Sequence, residues 1–131
     1  MAQQHGDDHW ITVGGAVEID ETPANAAVRE FWEETGALVR PTRVLGVFGG
    51  PDFRITYGNG DAVSYTTVVF EAKLVSGTPT ADDSELSTVA WIEPQQVSGL
   101  KMRDGMRKLV ALSLAGKDAA AFEPATWTLE Q

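Results

Sequence analysis

Glu30, Glu33 and Glu34 carry the chemical potential of this chain, with Arg29 immediately before them and the glycine pair Gly14-Gly15 upstream. Residues three and four apart are neighbours on an α-helix, so the three glutamates share one side. Like charges at that spacing repel and cost a helix a few tenths of a kcal/mol per pair. A bound divalent cation turns that cost into a gain. Hard ions such as Mg²⁺ or Mn²⁺ take oxygen ligands in near-octahedral geometry and keep several waters, which suits an open group of carboxylates completed by a substrate phosphate. Arg29 is spaced to brace Glu30 and Glu33 by charge-assisted hydrogen bonds, and the glycines allow the backbone to approach the cation closely. The plain alternative is a solvated acidic face, with Glu21 simply favouring the positive end of a helix.

The full spacing argues for the chemical reading. Gly15, five residues, Glu21, seven residues and then Arg29-Glu30-Phe31-Trp32-Glu33-Glu34-Thr35-Gly36-Ala37 resemble the signature of the Nudix hydrolase family. Phe31 and Ala37 depart from the Ile, Leu or Val usual at those places, which bears on packing rather than on chemistry. The resemblance, extending from Trp10 to about Trp127, implies an α+β domain, a Nudix-like α/β/α sandwich with a mixed sheet. It implies a pyrophosphatase that cleaves a nucleoside diphosphate derivative by water attack on phosphorus, with Mg²⁺ or Mn²⁺ as cofactor. Carried over residue by residue, Arg29, Glu30, Glu33 and Glu34 belong to the catalytic set. The Gly15 carbonyl and the three glutamates belong to the metal set. A loop glutamate often completes such sites; Glu85 is the choice for it, Asp83 the rival, and a merely solvated loop acid the alternative. Both Glu30 and Glu85 are open as the general base.

The elements that must position these groups follow from local signals. Thr22 is an N-cap type, Pro23 suits the first helical position and Gly36 suits a left-handed stop, so a helix is expected from Pro23 to Thr35. Ala27, Val28, Phe31, Trp32 and Thr35 form its expected packing side. Strands are expected over 39–47, 53–57, 62–75 and 88–92, with Gly58-Asn59-Gly60-Asp61 as a hairpin turn. Met102, Met106, Leu109, Val110 and Leu114 recur at helical spacing up to Gly116 and read as core.

Composition narrows the function. The 131 residues fit one domain, 43% of them are hydrophobic and four are tryptophan, which suits a globular core. The net charge is −9, and six of the nineteen acids lie between Glu18 and Glu34, so a bare nucleic acid is repelled whereas a metal-bridged small nucleotide is allowed. There is no cysteine, which excludes thiolate zinc and cysteine nucleophiles. No stretch approaches membrane-spanning length, and a cytoplasmic address follows by default. Arg54 and Tyr57 are the expected substrate contacts, an arginine fork for phosphate and a ring for stacking. His5 and His9, four apart in a polar segment, are read as incidental.

Residues 1–9 read as a polar lead-in and 117–131 as a tail. Nudix domains usually carry one or two strands ahead of the glycine loop, so the first of these is expected to be missing, leaving a sheet edge for a second subunit in a homodimer or for the tail from Phe122 to Leu129. The alternative to an enzyme is a truncated Nudix-like module that binds nucleotide or metal without turnover.

Overall fold

Helix α1 runs over Pro23–Thr35, and its ends are set by the residues that announce them. The Thr22 hydroxyl accepts the Asn25 amide at 3.2 Å, Pro23 occupies the first turn, and Gly36, at φ 67°, donates its amide to the Trp32 carbonyl at 2.8 Å. This computed structural model describes residues 1–116 and 118–127. Its strands are β1 (Ala2–Gln4), β2 (Leu38–Phe48), β3 (Arg54–Thr56), β4 (Ala62–Ser64), β5 (Thr67–Ser76) and β6 (Leu86–Val89), and a second helix, α2, spans Asp104–Ala115. Short 3₁₀ turns occupy Pro51–Phe53 and Pro94–Gly99.

The strands pair as three antiparallel ladders, β1 with β6, β2 with β5 and β3 with β4. The longest, β2–β5, extends from the Leu38–Ser76 pair to the Phe48–Thr67 pair. Among the described residues, parallel pairing is seen where Gly46 bridges Ala121 and the tail lies against β2. The Ala121 amide donates to the Leu45 carbonyl at 2.8 Å, and the Val47 amide donates to the Ala121 carbonyl at 2.9 Å. Of the expected tail segment, Phe122 is exposed and Leu129 lies outside the described residues.

Three expectations change. The segment 1–9 is more than a polar lead-in, because Ala2–Gln4 form β1, Ala2 is fully buried, and the Met1 amine donates to the Ala90 carbonyl at 2.7 Å. The long strand over 62–75 is two strands. Between them the Tyr65 amide turns to the Phe53 carbonyl at 3.0 Å, and the chain passes from pairing with β3 to pairing with β2. The strand expected at 88–92 sits earlier, over Leu86–Val89, where β1 supplies its hydrogen bonds.

The core gathers where α2 meets the end of β2. Phe48, Met102, Leu109 and Val110 are its buried members, with Trp10, Phe53, Val69 and Met106 packed around them. The Phe48 and Phe53 rings stack with centroids 6.3 Å apart. The expected α2 stripe is therefore core as far as Val110, whereas Leu114 is half exposed. Truncating a fully buried leucine such as Leu109 costs about 2–5 kcal/mol, so this cluster fixes the scaffold on which α1 is mounted. Helix α1 packs on β2 at the other end, burying Ala26 and Thr35 beside Ala37 and Val39. Trp32, expected on that packing side, is turned outward at 57% exposure, and Glu34 is turned inward instead.

Candidate active site

Arg29 ties the glycine loop, the following turn and α1 into one unit. Its Nε and Nη2 donate to the two oxygens of Glu21 at 3.0 and 2.9 Å, a bidentate fork, and Nη1 donates to Glu30 at 2.8 Å and Glu33 at 3.1 Å. Nη2 also donates to the Ala16 carbonyl at 2.9 Å. Glu21 first, then Glu30, hold the guanidinium even more firmly protonated than usual, and the same bonds with Arg29 lower the Glu21 pKa. Glu21 is thus the main anchor of the arginine. The bracing of Glu30 and Glu33 expected from spacing is present alongside it.

Gly15 is required by contact. A Cβ placed there would stand 2.4–2.5 Å from the Glu30 carboxyl atoms, so any side chain would displace Glu30 or the loop. Gly14, at φ 150°, faces Glu34 with its amide.

Glu34 is the outlier of the cluster. It is 7% exposed, and its Oε2 is buried without a hydrogen-bond partner among the described residues. Burial pushes its pKa from the ordinary 4.5 up to about 7; the negative charges of Glu30, Glu85 and Asp82 add to the rise and the Gly14 amide opposes it. A buried carboxylate oxygen facing other carboxylates is expensive in isolation. A hard cation would satisfy both the unpaired oxygen and the surplus charge, and all-oxygen donors are the chemistry that suits Mg²⁺ or Mn²⁺.

Glu85 is near enough to Glu34 for its charge to contribute to that rise. It lies at the end of the loop before β6, and its carboxylate makes no hydrogen bond or ion pair among the described residues. Backbone contacts from the N-terminal segment hold this loop: the His5 amide donates to the Glu85 carbonyl at 3.1 Å, and the His5 ring contacts the Asp83 carbonyl at 3.0 Å. Asp83 adopts φ 60° and serves the turn. Asp82, overlooked in the sequence, accepts the Leu86 amide at 3.0 Å and the Glu85 amide at 3.3 Å and is bonded by the Ser84 hydroxyl, which first among these holds its pKa down at about 2. An Asp two residues before a Ser at a strand entrance is a turn-forming pattern and was the available signal.

The other expected residues lie on separate elements. Arg54 and Tyr57 sit on the β3–β4 hairpin, where the Tyr57 hydroxyl meets that of Tyr65 at 2.6 Å. Among the described residues no hydrogen bond or ion pair joins the hairpin to α1 or the glycine loop. His5 and His9 go to separate partners, His9 to Asp7 at 2.6 Å. Asp7, Asp8 and His9 do bring ligand atoms within 4.8 Å of one another, but Arg103 and Lys101 already neutralise the two acids, at 2.6 and 2.7 Å. An apolar recess lined by Val13, Phe31, Pro79 and the exposed Trp91 borders the glycine loop and α1.

The NUDIX domain family matches residues 1–112. The chain belongs to that family. Its NUDIX domain is 35% identical over 89 residues to a "MutT-like protein" of Streptomyces ambofaciens, covering 68% of this chain and 51% of the relative. It is 47% identical over 45 residues to mouse (Mus musculus) "Diphosphoinositol polyphosphate phosphohydrolase 2", covering 34% of this chain and 25% of that one. The fold superposes on the crystal structure of a "UDP-X diphosphatase" with a TM-score of 0.69 at 23% identity, over 86% of this chain and 53% of the other. The matched chain spans about half the length of the first of these curated relatives and a quarter of the second. The family match begins at residue 1 and so includes β1, ahead of the Trp10 start expected from the sequence. Among the described residues no helix is long and apolar enough to cross a membrane.

Proposed function

We propose that this NUDIX domain is a Mg²⁺- or Mn²⁺-dependent pyrophosphohydrolase that cleaves the diphosphate of a nucleoside diphosphate derivative. The observation that carries this reading is the buried, unpartnered Oε2 of Glu34 set among Glu30, Glu85 and Asp82. Two relatives have names that share a diphosphate and differ in what is attached to it, which supports the bond cleaved more than the attached group.

Glu30, Glu33, Glu34, Glu85 and the Gly15 carbonyl would hold the cation. When bound, it supplies charge neutralisation for the diphosphate and makes an adjacent water easier to deprotonate. Arg29 keeps Glu30 and Glu33 oriented, so their carboxylates need no rearrangement when substrate arrives. Glu30 is committed to Arg29 through one oxygen, whereas the Glu85 carboxylate has no partner among the described residues, which favours Glu85 as the base that takes the proton of the attacking water. Arg54 would meet phosphate, and the half-exposed ring of Tyr57 would stack on the remainder of the substrate. Trp91, beside the recess next to the glycine loop, offers a second flat surface.

The test is chromatographic product analysis of purified protein incubated with ADP-ribose, nucleotide sugars, dinucleotides and nucleoside triphosphates, in Mg²⁺, Mn²⁺ or chelator. Metal-dependent cleavage of a diphosphate bond is expected. Saturable binding without product from any of these would instead establish the non-catalytic nucleotide-binding module.

A further inference from the structure

The loop that carries Glu85 leaves β5 at Ser76 and passes directly against the C-terminal end of α1. Carbonyls at that end of a helix have no partner inside it. The Trp32 carbonyl is taken by the Gly36 amide, and the Thr35 carbonyl is taken from the loop, by the Thr80 amide at 3.1 Å. Thr35 is buried and directly follows Glu34. The helix end that bears Glu34 is therefore capped by the loop that bears Glu85.

Gly77 makes this approach possible. It turns at φ 81°, and a Cβ there would stand 3.1 Å from the Ala37 Cα and 3.2 Å from the Gly36 carbonyl oxygen. Ala37 is fully buried, and Ser76 is paired with Leu38, so neither wall can withdraw without disturbing the end of the β2–β5 ladder. Beyond this point the loop supports itself. The Thr80 hydroxyl donates to the Thr78 carbonyl at 3.1 Å, Asp82 accepts the Glu85 and Leu86 amides, and Leu86 is fully buried. A shift of the loop at Gly77 is thus carried toward Glu85 rather than absorbed on the way.

We propose that Gly77 is a positioning residue of the acidic site: its close contact with Gly36 and Ala37 seats Thr80 on the Thr35 carbonyl and so sets where Glu85 stands relative to Glu34. This rests on the reading of those two glutamates as members of one cation site. A turn that needed only a positive φ would accept Asn, whereas the contact with α1 accepts no Cβ.

A double-variant cycle tests it, read both as Mn²⁺ affinity by calorimetry and as turnover of the substrate found by product analysis. Gly77→Ala and Gly77→Asn should each weaken Mn²⁺ binding severalfold and lower kcat about tenfold with KM little changed. In a Glu85→Gln background, Gly77→Ala should add less than about a twofold further loss, because residues acting through one group are not additive. Gly77→Asn behaving as wild type, or losses that multiply in the double variant, would overturn the proposal. Glu85→Gln with unchanged Mn²⁺ affinity and turnover would instead remove the underlying reading, and this proposal with it. Should Gly77→Ala fail to fold, amide exchange of wild type decides. Exchange of the Thr80 amide should slow about threefold or more when Mg²⁺ binds, since filling the site steadies the loop against α1. Mg²⁺ binding that leaves the Thr80 amide unchanged would overturn the proposal.

Discussion

The two halves of the acidic site are built in opposite ways. On the α1 side, Gly15, Glu21, Arg29, Glu30, Glu33 and Glu34 lie within one short stretch, and Arg29 closes the unit with bonds that span thirteen residues at most. On the other side, the loop that carries Glu85 is held by the pairing of β1 with β6 and by His5, contacts that join residues about eighty positions apart. The first half is specified by spacing and caps, the second by tertiary pairing. Function that needs both is therefore most sensitive where the local half meets the carboxylates, and more gradually sensitive where the remote half is steadied.

Replacing Glu34 by Gln breaks the local half at its centre. Turnover should fall by roughly three orders of magnitude or more with the fold retained, because a neutral amide removes the buried anionic ligand; steady-state kinetics with circular dichroism would check both parts. Arg29→Ala comes next. It frees Glu21, Glu30 and Glu33 together, and kcat should fall on the order of a hundredfold while Glu21→Ala gives a smaller loss of the same kind.

Asp82→Ala probes the remote half. Losing the acceptor for the Glu85 and Leu86 amides should loosen the loop, reduce kcat about tenfold and raise exchange of those amides, with the α1 network unchanged. Equal losses for Asp82→Ala and Glu34→Gln would erase the contrast between the halves.

A final effect, on a different quantity, is on stability against pH in chelator. Glu34 has a folded pKa of about 7, above the ordinary 4.5, so the folded state holds this proton more tightly than the unfolded chain. The stabilisation is full below about 4.5 and is lost as pH rises to about 7. Asp82 runs the other way: its pKa is lowered from 3.8 to about 2, and its contribution is present above 3.8 and lost on acidification toward 2. Denaturant melts of wild type and Glu34→Gln should therefore diverge between pH 4.5 and 7, by on the order of 1–3 kcal/mol at the upper end.

What could be read beforehand divides along the same line. Helix α1 was legible because Thr22, Pro23 and Gly36 act on their own neighbours, and the hairpin was legible because Gly58 to Asp61 bend the chain without help. β1 was hidden: Ala2-Gln3-Gln4 has no apolar alternation, and backbone pairing to Thr88 and Val89 makes it a strand. The run from Ala62, free of Gly, Pro and Asn and rich in β-branched and aromatic residues, concealed the break at Tyr65, which depends on Phe53 offering a carbonyl from outside the run. In the site, the spacing placed the α1 acids on one side of the helix but gave no sign that Trp32 would face solvent while Glu34 went inside, since that requires knowing where β2 lies. Asp82 left only a short-range turn pattern, and the positive φ of Asp83 was visible only once the loop had a shape.

The central claim is that the carboxylates of α1 and the β6 loop form one divalent-cation site organised around buried Glu34. Titration calorimetry of the metal-free protein with Mn²⁺ at about pH 6.5, repeated in two buffers of different ionisation heat, tests it most directly. The account predicts saturable binding accompanied by proton release, as Glu34 gives up the proton that burial favours, and loss of both in Glu34→Gln. Mn²⁺ binding of equal strength in the two proteins, with no proton released, would contradict it.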